Sequence, residues 1–140
     1  MTSERGHEVI GHTADVILEA WAPDLASCAA EAVAALVATC ADTSGAEVVD
    51  RRRVHLDPAA PTDLLHALLE EVIFALDTEA AVPVAAEVTG TAEDGLDVAI
   101  ALADPATVEP TGSAPKAISR SELAVRTGPD GVRCRFLVDV

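Results

Sequence analysis

Apolar positions recur along this chain at two spacings, every second residue in some segments and every third or fourth in others, and the switches between them mark out strands and helices. From Glu8 to Ala22, Val16, Leu18 and Ala20 alternate with Asp15, Ile17 and Glu19, which predicts a first strand. Pro23 and Asp24 stop it, and Asp24 offers an N-cap. Leu25, Ala29, Ala32, Leu36 and Cys40 then fall at helical spacing, so a first helix is expected from Leu25 to about Ala41. Val48 to Leu56 reads as a second strand, closed by Pro58 and Pro61. Thr62 then caps a helix in which Leu64, Leu65, Leu68, Leu69, Val72, Ile73 and Leu76 form one broad apolar stripe.

The second half reads as strands separated by turns and one loop. Val82 to Thr89 and Leu96 to Leu102 are expected strands, linked through the turn-forming Glu93-Asp94-Gly95. Pro105, Pro110 and Pro115 predict a long loop from Ala103 to Pro115, because proline cannot continue a ladder. Ala117 to Arg126 and Val132 to Val140 form two further strands around Gly128-Pro129-Asp130-Gly131. In the last of them Val132, Cys134, Phe136 and Val138 share one face, and Arg133, Arg135, Leu137 and Asp139 share the other. The order β-α-β-α-β-β-β-β predicts an α+β two-layer fold, with two helices packed on one face of a largely antiparallel sheet. The 140 residues correspond to one domain, 1–140, with one core.

Composition narrows the function classes. Half the residues are hydrophobic, but they are mainly Ala, Val and Leu, and the aromatics are Trp21, Phe74 and Phe136 alone, so the core must be built from small side chains. The apolar stretches 29–41 and 64–76 are interrupted by Glu31 and by Glu70 and Glu71, and neither reaches the roughly 20 apolar residues of a bilayer span. The N-terminal residues are polar and lack the plan of a signal peptide, so a soluble cytoplasmic protein with no membrane association is expected. Cys28, Cys40 and Cys134 form no CxxC pair and read as buried small hydrophobes in a reducing compartment. The net charge of −15 makes the chain poorly suited to hold RNA or DNA by itself, since that relies on Lys and Arg displacing counterions from phosphate. A basic protein partner or a metal ion suits such a field better.

Candidate chemistry lies at the two ends. If the first and last strands lie side by side, Asp15, Asp139 and the carboxylate of Val140 converge as an oxygen-only cluster, which suits Ca²⁺, Mg²⁺ or Mn²⁺. His12 and Asp15 suggest a metal or acid–base pair, yet three residues apart on a strand they face opposite ways unless the chain turns between them. The other reading of His12 is structural. Lys116, the single lysine, is drawn toward acidic groups and could contact a phosphate or a partner, or stand solvated at a strand start. Glu71, at the edge of the second helix's stripe, either reaches a site or solvates that edge. No Gly-rich phosphate loop, GxSxG elbow or HExxH motif is present.

The strings His12-Thr13-Ala14-Asp15-Val16-Ile17-Leu18-Glu19-Ala20-Trp21, Leu64 through Glu79, Lys116-Ala117-Ile118-Ser119 and Phe136-Leu137-Val138-Asp139-Val140 together resemble the archease family, in the family's order and over nearly the whole chain. Archeases are small acidic proteins that assist RtcB-type RNA ligases, which join tRNA halves or broken RNAs using GTP and Mn²⁺. The resemblance implies an accessory protein, not an enzyme, that promotes formation of the ligase's guanylylated intermediate and repeated turnover in tRNA splicing and RNA repair. RNA would be met only through the ligase. It further implies a divalent-metal site at Asp15, Asp139 and Val140, with Lys116 at the position of a functionally implicated lysine.

Two departures stand out. Ile17 occupies a position where many relatives have Gly, and Ser121 one where a His often follows the lysine motif; the loop before Lys116 also lacks a His commonly found there. Two other function classes stay open: an acidic chaperone or adaptor for several clients, whose activity salt would suppress, and a stand-alone metal-dependent hydrolase.

Overall fold

In the computed structural model, which describes residues 4–12, 15–78 and 80–140, the first run of alternating residues folds back on itself. Strand β1 (Gly6–His12) and strand β2 (Asp15–Ala22) make an antiparallel hairpin where the pattern reads as one strand over Glu8 to Ala22. The register slips between Val9 and Gly11, and no Asn-Gly or Pro-Gly pair announces the turn. Helix α1 (Leu25–Ala38) starts where expected, with the Asp24 carboxylate accepting the Ser27 N–H at 2.8 Å. It stops short of Ala41 because the chain leaves as a two-residue strand β3 (Ala41–Asp42).

Strand β4 (Val48–Leu56) matches its expected bounds. Helix α2 (Pro61–Thr78) opens with Pro61 in its first turn, where a missing N–H costs nothing, and the Leu64 N–H donates to the Ala60 carbonyl at 3.0 Å. Strands β5 (Val82–Thr91) and β6 (Gly95–Ala103) follow. Gly95 takes φ +89° at their turn, beside a carbonyl that a β-carbon would strike. The expected loop from Ala103 to Pro115 holds more structure than its prolines suggest. A single 3-10 turn spans Pro105–Thr107, and a short strand β7 (Glu109–Pro110) pairs with β3. The strand expected from Ala117 to Arg126 is two pieces, β8 (Ala117–Ile118) and β9 (Ala124–Gly128), both laid along the same final strand β10 (Gly131–Asp139). The residues between them detour off the ladder.

All pairings are antiparallel, and the α+β class with two helices holds. The strands divide between two main sheets, β1-β2-β10-β8 with β9 also on β10, and β4-β6-β5. Both helices touch both of them: α1 lies on β2 and β5, and α2 on β5 and β8. Covered on more than one side, α1 is buried almost all round, through Ala26, Cys28, Ala29, Ala32, Val33, Ala35, Leu36 and Val37. Its alanines let the strands approach closely. Phe136 and Leu18, fully buried and Cα partners across β10 and β2, are the largest side chains of the core beneath it. The three cysteines are free and buried. Among the described residues no helix is long and apolar enough to cross a membrane.

Candidate metal centre

The first long strand after the hairpin turn and the last strand of the chain are neighbours, and their register sets Asp15 directly opposite Asp139. Directly opposed residues share a face of the sheet, with β-carbons about 5 Å apart. Alternation fixes which face. Leu18, Ala20 and Ala22 of β2 and Val132, Cys134, Phe136 and Val138 of β10 are buried under the helices, so the two aspartates point the other way. Both are exposed, and neither side chain has a hydrogen bond or ion pair among the described residues.

On the other side of Asp139 stands Ala117 of β8, whose methyl leaves the carboxylate uncovered. The Lys116 N–H donates to the Asp139 carbonyl at 2.7 Å, which pins the lysine's backbone to the end of β10. Pro115, just before it, is buried. The Lys116 side chain is exposed and its ammonium makes no ion pair among the described residues. Val140 packs its side chain on the core, one residue beyond Asp139. The backbone of His12 pairs with Val16, so the chain does turn between His12 and Asp15; the His12 side chain, with Thr13 and Ala14, lies outside the described residues.

Glu71 goes elsewhere. Its Oε1 accepts from Arg52 of β4 at 3.1 Å, and that guanidinium lies over the Phe74 ring at 5.6 Å, on the side of the second sheet. The neighbouring Glu70 is the residue that reaches toward the acidic end. Its Oε1 accepts the Ile118 N–H at 3.0 Å and stands 3.6 Å from His66 Nε2, so α2 holds β8, and with it Lys116, in place. The sequence reading singles out Glu71 of the two, and it is Glu70 that the tertiary pairing brings to this end.

Among the described residues no group of three His, Cys, Asp or Glu side chains gathers as a ligand set. The donors that the register brings together here are the two opposed carboxylates, both oxygen. That set fits a hard divalent cation that keeps part of its water shell, and it does not fit a soft metal.

Fold and site together define a small acidic α+β protein whose distinctive chemistry is an exposed pair of carboxylates at one end of a sheet. The model of the Archease protein family (MTH1598/TM1083) matches residues 7–140, and the chain belongs to that family. The probable protein archease of Mycobacterium tuberculosis (strain ATCC 25618 / H37Rv) is 39% identical over 135 residues, covering 96% of this chain and 75% of that one; its counterpart in strain CDC 1551 / Oshkosh aligns equally. In solved structures, the Methanobacterium thermoautotrophicum protein 1598 superposes with a TM-score of 0.74 at 22% identity, over 96% of this chain and 99% of that one. An archease, possible chaperone, from Thermotoga maritima gives 0.67 at 16% identity, over 95% and 96%. These two likenesses carry the fold. The family resemblance read from the sequence is thereby borne out.

Proposed function

We propose that this protein is a cytoplasmic activator of an RtcB-type RNA ligase in tRNA splicing and RNA repair, promoting guanylylation of the ligase and its repeated turnover without being an enzyme itself. The observation that carries the reading is the facing of Asp15 and Asp139 at the end of the sheet, with the backbone of Lys116 bonded to Asp139. Asp15, Asp139 and the Val140 carboxylate would hold the divalent ion, Ca²⁺, Mg²⁺ or Mn²⁺. A bound ion would supply positive charge that offsets the repulsion of the facing carboxylates. Lys116 stands at the same end as a mobile point charge for a phosphate or an acidic group of the ligase. The exposure of all three side chains supports a role at an interface, since a partner can reach them without opening the fold.

The test is multiple-turnover RNA joining by the ligase of the same cell, with GTP and Mn²⁺, comparing no addition, the wild type, Asp15→Ala and Asp139→Ala. Stimulation by the wild type that both variants lose is expected. Full stimulation by Asp15→Ala would overturn the reading. A chaperone or adaptor role has one observation in its favour, the description of the Thermotoga maritima relative as a possible chaperone. It predicts client protection that survives both substitutions and fades with salt.

A further inference from the structure

The outer face of the first sheet carries a second concentration of charge, of opposite sign, at the end away from Asp15 and Asp139. Arg133 of β10 lies directly opposite Trp21 of β2 on one side and Arg126 of β9 on the other, and Arg135 is two positions further along β10 on the same face. Three of the nine basic residues of a chain of net charge −15 are therefore neighbours on one small patch. Like charges directly opposite in a sheet cost stability, so their juxtaposition calls for a counter-charge.

One acid, Glu19, stands here as the Cα partner of Arg135, and its ion pair goes to Arg133. Its Nη1 donates to Glu19 Oε1 at 2.8 Å, and its guanidinium carbon lies 4.8 Å from the centre of the Trp21 ring. Behind the ring stands Gly6, where a β-carbon would come within 2.5 Å of it. Arg126 and Arg135 are exposed and have no hydrogen bond or ion pair among the described residues, in a chain that offers 24 acidic ones. Two adjoining cavities open onto this group. One of about 710 Å³ is bordered by Trp21, Arg126, Arg133 and the turn at Pro129, with Glu4 and Asp130 also on its wall, and one of about 220 Å³ by Glu19, Arg126, Arg133 and Arg135, so the excess of positive charge lies in the smaller one. Set against Glu19, the three guanidiniums leave the smaller cavity with two uncompensated positive charges.

We propose that this patch is an anion site for a phosphate-bearing ligand of nucleotide size, with the phosphate among Arg126, Arg133 and Arg135 and the planar base against the Trp21 and Arg133 stack. Forked guanidinium donors match phosphate oxygens, and a flat aromatic–guanidinium surface matches a base. The larger volume lies within the range of small-molecule sites. A long strand is disfavoured. The acid pair lies about 20 Å along the same face, six residues up β10, and the overall charge repels a polyanion beyond the patch itself.

Trp21 is the single tryptophan, so its fluorescence reports occupancy directly. The full-length chain is titrated with adenosine monophosphate, inorganic phosphate, adenosine and a single-stranded oligoribonucleotide of about ten nucleotides. Saturable quenching by the monophosphate is expected, with weaker binding of inorganic phosphate and of adenosine. Arg126→Ala and Arg135→Ala should each weaken the monophosphate by about tenfold, and Arg126→Lys by less, with unchanged far-ultraviolet circular dichroism in every variant. Absence of saturable binding, equal binding of adenosine, affinities untouched in both alanine variants, or binding of the oligonucleotide without the monophosphate would each overturn the proposal.

Discussion

Asp15 and Asp139 face each other as Cα partners across β2 and β10, two exposed carboxylates that form no ion pair with a basic side chain among the described residues. Directly opposed like charges in a sheet are destabilising by some tenths of a kcal/mol to about 1. Asp15→Asn should therefore leave the metal-free protein as stable as the wild type or slightly more so. Added Ca²⁺ or Mn²⁺ should raise the wild type's Tm and leave the variant's nearly unmoved, because only a folded state that binds the ion is stabilised by it. Thermal unfolding with and without each ion checks this; equal shifts in both proteins would rule the site out.

The Glu70 carboxylate is the acceptor for the N–H of Ile118, a buried residue of a two-residue strand. Glu70→Ala orphans that amide at a cost of about 1–3 kcal/mol, while Glu70→Gln keeps an acceptor oxygen and should cost less. Urea unfolding measures the difference. Since β8 carries Lys116 to the end of β10, Glu70→Ala should also lower ligase stimulation more than Glu71→Ala does, if the proposed role of Lys116 holds.

Phe136 is fully buried and is the one phenylalanine in a core otherwise made of Leu, Ile, Val, Ala and Cys. Small neighbours cannot move in to fill a ring-sized void, so Phe136→Ala is expected near the upper end of about 3–5 kcal/mol, and Phe136→Leu well below it. Chemical denaturation of both variants tests the ordering.

Acid should loosen the contact between the N-terminal segment and α1. Burial pushes the Glu31 carboxyl up, but hydrogen bonds from Arg5 and His7, together with their charges, outweigh it and hold the group below its ordinary value of 4.5. A depressed carboxyl contributes stability that is present above its unfolded value and is lost as pH falls through the lower folded one. Stability should thus fall below about pH 4.5 in the wild type, and that part of the decline should be absent in Glu31→Gln. Tm measured from neutral to acid pH for both proteins gives the comparison.

Much of the frame was legible from periodicity, because α2 and the later strands each bury one face. The stripe from Leu64 to Leu76, the cap at Asp24 and the two faces of β10 all stand as read. What escaped were features set by long-range pairing. The β1–β2 turn has no glycine–proline signature, and the break between β8 and β9 marks a change of register, their ladders on β10 being three residues out of step. The adjacency of Asp15 and Asp139 followed once the first and last strands were set side by side, yet of Glu70 and Glu71 the sequence reading singles out Glu71, and the fold brings Glu70 to that end. Their roles depend on which partner, Ile118 or Arg52, the folded chain brings to each. The outward arginines were scattered in sequence, at 126, 133 and 135, and became a patch only through the β9–β10 register.

The two main sheets share no strand, and α1 lies against both. Peeling β2 away would strip cover from the helix that β5 also rests on, so neither ladder can open alone at low cost. Amides of β2 and β5 should for that reason lose hydrogen-exchange protection in step, as one unit of cooperativity, although they belong to separate sheets.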